Sequence, residues 1–252
     1  MRKDIHSKIK EYLKILRLAG IKESYQEIAE QSARENLLHE EYLLMVLEKA
    51  AEARYNSRTG RLLKESGLDL NKSMDTFNMK RLHPKELMQV KGIREGDFLE
   101  NRENILIFGA PGSGKTHLLS AIAQEQIINR GKKIRATTCS LLVQELLAAK
   151  KELQLPAMLK KYAKYDAVLI DDIGYVEQTR EEMEILFTFL AHRYEKASLM
   201  ITSNLAFSKW GKIFKDPMTA AAAIDRLVHH SIILELNLPS ARMEEAKQRR
   251  IK

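Results

Sequence analysis

A glycine-rich octapeptide near the middle of the chain has the residue types needed to hold a phosphate. It reads GAPGSGKT and matches the pattern G-x-x-x-x-G-K-[ST] in full. Glycines let consecutive backbone N–H groups turn inward around an anion, and the amino terminus of a following helix adds a positive field. In this pattern the lysine reaches the β- and γ-phosphates, and the hydroxyl of the last residue binds Mg²⁺. The predicted nucleotide-binding residues are Gly109, Ala110, Pro111, Gly112, Ser113, Gly114, Lys115 and Thr116.

The alternative is a glycine-rich turn that only resembles this motif. The flanking sequence argues against it, because NILIFG before the octapeptide reads as a strand and THLLSAIAQEQIINRG after it reads as a helix. A second acidic site also follows downstream. We therefore predict a strand–loop–helix unit that binds a nucleoside triphosphate and Mg²⁺.

Two adjacent aspartates end a later apolar run, in VLIDDIGYVEQ. An acidic residue at the carboxyl end of a strand that follows such a loop is where the carboxylate on the Mg²⁺ side belongs, which predicts this role for Asp171. Side chains alternate in direction along a strand, so Asp172 cannot do the same work from the same place. It is placed to orient or deprotonate the water that attacks the γ-phosphate. The alternative is that Asp172 only begins the turn into Gly174.

Two further polar residues are candidates for the same chemistry. Asn204 ends the run ITSN and is placed to hold the attacking water, although asparagine is also a common first residue of a loop. Arg226 lies in AIDRLVHH, and an arginine from one subunit can complete a nucleotide site at the edge of the next. Considered alone, however, Arg226 is better explained as the partner of Asp225 in a surface ion pair.

The elements that must position these residues follow a change of hydrophobic period at residue 104. Short apolar runs (NILIFG, KIRATT, DAVLID, SLMITSN and SIILEL) alternate with helical segments. This pattern predicts an α/β fold, a parallel sheet with helices on both faces. Gly131 is expected to end the first of these helices, Ser140 to cap the second, and Thr179 with Glu182 to form a capping box for the third.

The first part of the chain reads as a small all-helical domain, because residues 4–66 contain no proline. Gly20 is the expected end of its first helix, and Ser24 with Glu27 has the spacing of a capping box for the second. Apolar stripes at helical spacing predict the buried faces of the first and third helices: Ile5, Ile9, Leu13, Leu16 and Ala19, then Leu43, Leu47 and Ala50.

We therefore predict four regions. Residues 1–67 form the helical N-terminal domain for assembly, partner or DNA contact, and residues 68–103 form a connector. Residues 104–240 form the ATPase domain, and residues 241–252 a basic tail. Because only this tail follows the last strand, we expect no helical lid domain.

Composition sets broader limits. The chain of 252 residues is 44% hydrophobic, which suits one main domain and a smaller appendage. The single cysteine, Cys139, excludes an internal disulfide and indicates a reducing compartment, and no run has the length of a membrane span. We expect a cytoplasmic protein with no membrane contact. The net charge of +8 is compatible with a nucleic-acid partner without establishing one.

The chain resembles the IstB-like transposition helper ATPases, AAA+ relatives of the DnaC helicase loader. The resemblance covers the helical N-terminal region and the segments GAPGSGKTHL, YDAVLIDDIGY, TSNLAFSKWGKIFKDPMTAAAAIDRLVHH and SIILEL. It implies an AAA+ ATPase with ATP and Mg²⁺, in which Asn204 is the sensor-1 residue and Arg226 an arginine finger acting in trans. Where the family has an SYR-like segment this chain reads PSARMEE, so the resemblance does not carry a sensor-2 role over to Arg242.

The resemblance also implies a biological role. It is that of a homo-oligomer with nucleotide at subunit interfaces, which binds double-stranded DNA and promotes insertion-sequence transposition with a separate transposase. The alternatives are a helicase loader on the same ATPase core and a small-molecule kinase, which shares only the glycine-rich loop. AAA+ proteins often carry glutamate at the position of Asp172, and aspartate reaches about 1.5 Å less far, so we expect slow hydrolysis.

Basic residues suggest where DNA would bind. Three arginines recur at helical spacing in the N-terminal region, and lysines alternate with aromatic residues in FSKWGKIFK. Solvated basic faces are common, and the spacing of the aromatic residues also suits a core stripe. The candidate DNA contacts are Arg54, Arg58, Arg61, Lys209 and Lys212.

Overall fold

Two units make up the chain, Met1–Arg61 and Leu62–Lys252. The computed structural model describes residues 2–174, 179–205, 227–241 and 243. The boundary between the units falls within the third helix of the chain. The predicted four-part division, with boundaries at 67, 103 and 240, stays a prediction.

The first unit is helical. It contains α1 (Arg2–Ile15), α2 (Ala19–Glu35) and most of α3 (His39–Ser66). Its core is small, and the buried residues of its hydrophobic cluster are Leu13, Ile21, Tyr25, Ile28 and Val46.

Two predicted helix boundaries in this unit are wrong. Helix α1 already ends at Ile15, and Gly20 lies in the first turn of α2. A Cβ atom at Gly20 would come within 2.5 Å of the Cβ of Ala53, so this glycine permits close packing of two helices. Ser24 lies inside α2, where its hydroxyl donates to the carbonyl of Gly20 at 2.9 Å, and it caps nothing.

The predicted buried stripe of α3 is also wrong. Leu43 and Leu47 are 54% and 52% exposed, whereas Val46 is only 6% exposed. The run from Tyr42 to Leu47 is apolar at every position, so its periodicity cannot indicate which face is buried. The predicted buried face of the first helix is only partly buried. Leu13 is buried but Ile5 is exposed, and Leu16 is exposed and lies beyond the end of α1.

The second unit is built on a five-stranded sheet with the order β2-β3-β4-β1-β5, in which every pair of neighbours is parallel. The strands are β1 (Asn104–Gly109), β2 (Ile134–Thr138), β3 (Ala167–Ile173), β4 (Ser198–Ser203) and β5 (Ser231–Leu236). The helices are α4 (Pro84–Glu95), α5 (Lys115–Arg130), α6 (Cys139–Lys151), α7 (Leu155–Tyr162) and α8 (Arg180–Arg193).

Helices cover both faces of this sheet, which confirms the predicted fold class. On one face α4 and α5 pack over residues such as Ile105 and Leu169, and on the other α6, α7 and α8 pack over Leu106 and Ile170. Strands β1, β3 and β4 are almost completely buried, as expected for a parallel sheet between two helical layers.

The register brings the carboxyl ends of three strands to one edge. Ser203 of β4 lies opposite both Phe108 of β1 and Ile173 of β3. The loop after β1, the aspartates at the end of β3 and Asn204 after β4 therefore meet at this edge. Ligands of open parallel sheets bind at this position.

Residues 62–103 belong to the same unit as the sheet. They contain the last turn of α3, a 3-10 helix at Met79–Arg81 and α4, and they bury Phe77, Val90 and Phe98 in the core. The sequence indicated no helix in residues 68–103, and α7 was not predicted either.

Of the three helix caps predicted in the second unit, two are confirmed and one is wrong. Gly131 ends α5 in the left-handed conformation, and Thr179 with Glu182 forms the predicted capping box of α8. The cap of α6 is Thr138 rather than Ser140, because the helix begins one residue earlier and the hydroxyl of Thr138 accepts from the N–H of Leu141.

At the amino ends of the strands, the buried side chain of Arg193 donates to three carbonyls. These belong to Tyr162 at 2.8 Å, Tyr165 at 3.1 Å and Ser198 at 3.1 Å. Burial lowers the pKa of Arg193 to about 10. A guanidinium supplies enough donors to tie the segment before β3 to the start of β4. Within the described ranges, no helix combines the length and apolar character needed to cross a membrane.

Candidate nucleotide site

The glycine-rich loop joins the end of β1 to the start of α5 and depends on its glycines. Gly112 and Gly114 adopt φ angles of 80° and 100°, which L-residues with a Cβ rarely adopt. A Cβ at Gly112 would collide with the side chain of Ser240, and one at Gly114 would lie 3.2 Å from the ring of Phe77. The loop is therefore enclosed on two sides, and its backbone conformation requires glycine at both positions.

Lys115 is the first residue of α5 and is only 4% exposed. Its ammonium group donates to the carbonyl of Ala110 at 2.9 Å. The charge is thus held inside the loop, beside the N–H groups that would surround a phosphate. An ammonium buried there requires an anionic ligand or oxygen acceptors, and a bound phosphate supplies both.

Next along the helix, Thr116 joins the loop to the end of β3. Its hydroxyl donates to Oδ1 of Asp171 at 2.8 Å, and the same carboxylate oxygen accepts from the hydroxyl of Thr202 at 2.5 Å. Thr202 in turn accepts from the backbone N–H of Asp172 at 2.9 Å. One buried hydroxyl of β4 therefore fixes both the carboxylate of Asp171 and the backbone of Asp172.

The two aspartates lie within a β-bulge of β3. Ile170 pairs with Ile201 and Ile173 pairs with Ser203, so β3 contains one residue more than β4 over this interval. Asp172 takes the left-handed conformation with φ 60°, which costs about 1–3 kcal/mol for a residue other than glycine. Such bulges re-aim side chains next to functional sites.

As a result, the two carboxylates face different spaces. Asp172 lines a cavity of about 350 Å³ over the glycine-rich loop, and its Oδ1 accepts from Nδ2 of Asn204 at 3.3 Å. Asp171 lines a second cavity of about 350 Å³ on the β2 side. The first, which we call the nucleotide cavity, is lined by Lys72, Pro111, Gly112, Gly114, Lys115, Thr116, His117, Asp172, Asn204 and Ala241.

The donor set suits Mg²⁺. The hydroxyl of Thr116, which lines the nucleotide cavity, and the neighbouring carboxylate of Asp171 are oxygen ligands 2.8 Å apart. Mg²⁺ prefers one or two such protein oxygens together with water and nucleotide phosphates. The two residues predicted to hold the metal are therefore already adjacent.

A segment beyond β5 closes the outer side of the loop. The N–H of Ala241 donates to the carbonyl of Gly112 at 2.9 Å, and Arg81 donates to the carbonyl of Pro239 at 2.6 Å. This contact also explains why Ser240 lies where a side chain at Gly112 would be.

The model of the family described as IstB-like ATP binding protein matches residues 11–249. The chain belongs to this family. It is 37% identical, over 98% of its own length and 84% of the relative, to a putative insertion sequence ATP-binding protein of Sinorhizobium fredii. A putative ATP-binding protein of an insertion sequence from Geobacillus stearothermophilus is 34% identical over 95% of each chain.

Solved structures show the same fold at lower identity. The DnaC helicase loader matches with a TM-score of 0.55 and 18% identity, over 66% of this chain and 97% of that one. AMPPCP-bound DnaA from Aquifex aeolicus matches with a TM-score of 0.55 and 22% identity, over 73% of this chain and 56% of DnaA. The IstB-like chain therefore has the P-loop ATPase fold of the AAA+ class.

The remaining predicted residues are in two groups. Arg54, Arg58 and Arg61 lie in the part of α3 that belongs to the first unit, and all three are exposed. The others, Lys209, Lys212, Arg226 and Arg242, lie outside the described residues, as does the aromatic stripe predicted between Phe207 and Phe214.

Four functional candidates were not found from the sequence. They are Thr202, which fixes both aspartates, and three residues that line the nucleotide cavity: Lys72, His117 and Ala241. A hydroxyl on the strand beside the acidic pair was a usable signal for Thr202. His117 is adjacent to the motif, but its side-chain contacts depend on a distant segment. Lys72 lies outside every recognisable pattern, and Ala241 lies in the segment PSARMEE, which departs from the pattern of the family.

Proposed function

We propose that this protein is an ATP-dependent DNA-binding helper of insertion-sequence transposition. It self-assembles on target DNA, acts with a separate transposase, and is reset by ATP hydrolysis. Family membership and the insertion-sequence relatives support the biological role. The observation that carries the ATP-driven part is the separation of Asp171 and Asp172 into two cavities on either side of Thr116.

This separation suits hydrolysis. Thr116 and Asp171 would hold Mg²⁺, which neutralises charge on the β- and γ-phosphates, and Lys115 would contact the same phosphates. Asp172 then faces the space where a water molecule can attack the γ-phosphate. The hydrogen bond from Asn204 would keep the Asp172 carboxylate oriented to accept a proton from that water.

Assembly would add the remaining catalytic charge. In this proposal Arg226 of one subunit reaches the γ-phosphate bound by its neighbour, so that nucleotide binding favours the oligomer and hydrolysis loosens it. The bound DNA would be contacted mainly through its phosphates, by basic side chains. Arg54, Arg58 and Arg61, which are exposed on one helix, are candidate contacts.

The test is electron microscopy and fluorescence anisotropy with random-sequence duplex DNA, with and without ATP. We expect ATP-dependent assemblies and an affinity that falls steeply with salt, because counterions are released from the DNA. Lys115→Ala is the matched control, which should lose nucleotide binding and ATP-dependent assembly while staying folded by circular dichroism. Binding that is indifferent to both salt and ATP would contradict the proposal.

The partner needs its own test. Co-purification with the transposase of the same insertion sequence and with a replicative helicase should retain only the transposase in the presence of ATP. Retention of the helicase alone would favour the function of a helicase loader.

A further inference from the structure

A segment without regular helix or strand, residues 69–78, packs against the first turns of α5. The buried side chain of Gln124 donates to the carbonyls of Asp69 at 3.2 Å and Lys72 at 2.9 Å. These contacts hold the segment close to the helix that begins with Lys115 and Thr116. Its position is thus tied to the helix that follows the glycine-rich loop.

His117 provides the second attachment of the 69–78 segment. Its Nε2 lies 3.1 Å from the carbonyl of Ser73 and 3.1 Å from the hydroxyl of Thr76. The ring packs edge-on against Phe77 at a centroid distance of 5.3 Å, and Phe77 in turn lies against Gly114. The segment therefore follows the loop and the helix start over most of its length.

Lys72 lies at a distinctive place in this arrangement. The nucleotide cavity and the second cavity have only two lining residues in common within the described part of the chain, Lys72 and Thr116. Lys72 is thus at the same end of the nucleotide cavity as the hydroxyl that would bind Mg²⁺. That is the end where the β- and γ-phosphates would lie.

The charges at this end of the nucleotide cavity favour a second positively charged side chain. Among the described lining residues of the nucleotide cavity, the lysines are Lys115 and Lys72, and Asp172 contributes a negative charge. Asp171 adds another behind Thr116. Complexed with Mg²⁺, ATP carries further negative charge, which one buried lysine does not balance against two carboxylates.

We propose that Lys72 is a further phosphate-binding residue of the nucleotide site, delivered by the 69–78 segment. The proposal rests on the ATP binding proposed above and adds a ligand from outside the glycine-rich loop. Lys72 would turn from its present ion pair with Asp69 to the polyphosphate.

The present ion pair is suited to such an exchange. Nζ of Lys72 lies 3.4 Å from Oδ2 of Asp69, and the two side chains are 37% and 46% exposed, so the pair contributes little stability. The Asp69 carboxylate also accepts from the N–H of Asn71, and this bond, with a smaller effect of Lys72, lowers the pKa of Asp69. Asp69 thus stays ionised and competes with the phosphates for Lys72.

The test measures dissociation constants for ATP, ADP and adenosine by calorimetric titration with Mg²⁺ present. Lys72→Met should weaken ATP binding about tenfold, the value of one charge-assisted hydrogen bond, weaken ADP binding less, and leave adenosine binding unchanged. Lys72→Arg should restore ATP affinity to within about threefold, because it restores the charge. Asp69→Asn should leave ATP binding equal or tighter, because it removes the competitor.

Lys80→Met is the matched control, since Lys80 is an exposed lysine of the following 3-10 helix that lines neither cavity. Unchanged ATP affinity in Lys72→Met would overturn the proposal. An equal loss of affinity for adenosine would also overturn it, because a merely structural role of Lys72 would weaken the binding of all three ligands, whatever their number of phosphates. If the wild-type protein bound no ATP, the function proposed above would fail as well, so the two failures are distinguishable.

Discussion

The two sides of the nucleotide cavity are built in different ways. On the loop side, backbone geometry dominates: Gly112 and Gly114 adopt positive φ, and Lys115 is folded inside. On the strand side, side-chain hydrogen bonds dominate, because Thr202 and Asn204 hold the two aspartates. The backbone of the loop contacts the phosphates whenever the nucleotide is bound. An oriented carboxylate contributes only to the step in which a water molecule attacks the γ-phosphate.

This difference implies that ATP binding and ATP hydrolysis depend on different sides of the cavity. Changes on the loop side should alter the affinity for ATP, and changes on the strand side should alter kcat. Each of the following substitutions can break or sharpen that comparison.

Asp172→Asn should have the largest effect. Loss of a general base lowers the rate by about 100-fold or more, so ATP hydrolysis should nearly stop while ATP affinity stays within about threefold of wild type. Asp172→Glu keeps a carboxylate and should retain measurable turnover. Phosphate release and calorimetric titration measure the two quantities. Normal hydrolysis by Asp172→Asn would make this residue only the start of a turn.

Gly112→Ala should act on the other side of the cavity. The new Cβ meets Ser240, and a positive φ costs about 1–2 kcal/mol for alanine, so ATP affinity should fall roughly 10- to 30-fold. Turnover at saturating ATP should change much less. Gly92→Ala is the control, because no atom lies within 4 Å of its added Cβ and the position is helical. A fall in kcat with unchanged affinity would reverse the comparison.

Thr202→Val removes the hydroxyl that serves both aspartates. Asp171 loses a donor and the N–H of Asp172 loses its acceptor in a buried place, which should cost about 1–3 kcal/mol of unfolding free energy. We expect kcat to fall about tenfold, since roughly 1.4 kcal/mol in the barrier is tenfold in rate. Urea denaturation and steady-state kinetics measure both. Thr188→Val, at an exposed hydroxyl of α8, should change neither.

Asn204→Ala should have the smallest effect. It removes a hydrogen bond of 3.3 Å to Asp172, which should lower kcat about three- to tenfold and leave ATP affinity unchanged. Steady-state kinetics would show this as a change in kcat alone. If ATP affinity fell instead, Asn204 would belong to the binding side of the cavity.

Local signals in the sequence predicted the loop, the sheet and the edge where they meet. The motif from Gly109 to Thr116 has a fixed conformation, and buried parallel strands such as β3 are continuous apolar runs, so both can be recognised without tertiary information. The bulge that re-aims Asp172 could not be predicted, because it depends on pairing with β4.

The contacts of the 69–78 segment were hidden for a related reason. Ser73 and His117 are 44 residues apart, and Asp69 and Gln124 are 55 apart, and no periodic pattern links them. In α3, the uninterrupted apolar run that includes Leu43 and Val46 left the buried face undetermined. Prediction thus failed where residues far apart in the sequence come into contact. It also failed where an apolar run had no polar residue to show which face of the helix is exposed.

Arg193 has a consequence for how the ATPase unit can move. One guanidinium connects the segment before β3 to the first residue of β4, and it has no substitute of the same shape, since lysine lacks the planar fork. Amide hydrogens at this end of the sheet should therefore exchange slowly in every nucleotide state. We therefore expect displacement driven by nucleotide to be larger at the carboxyl ends of the strands, where the nucleotide cavity lies.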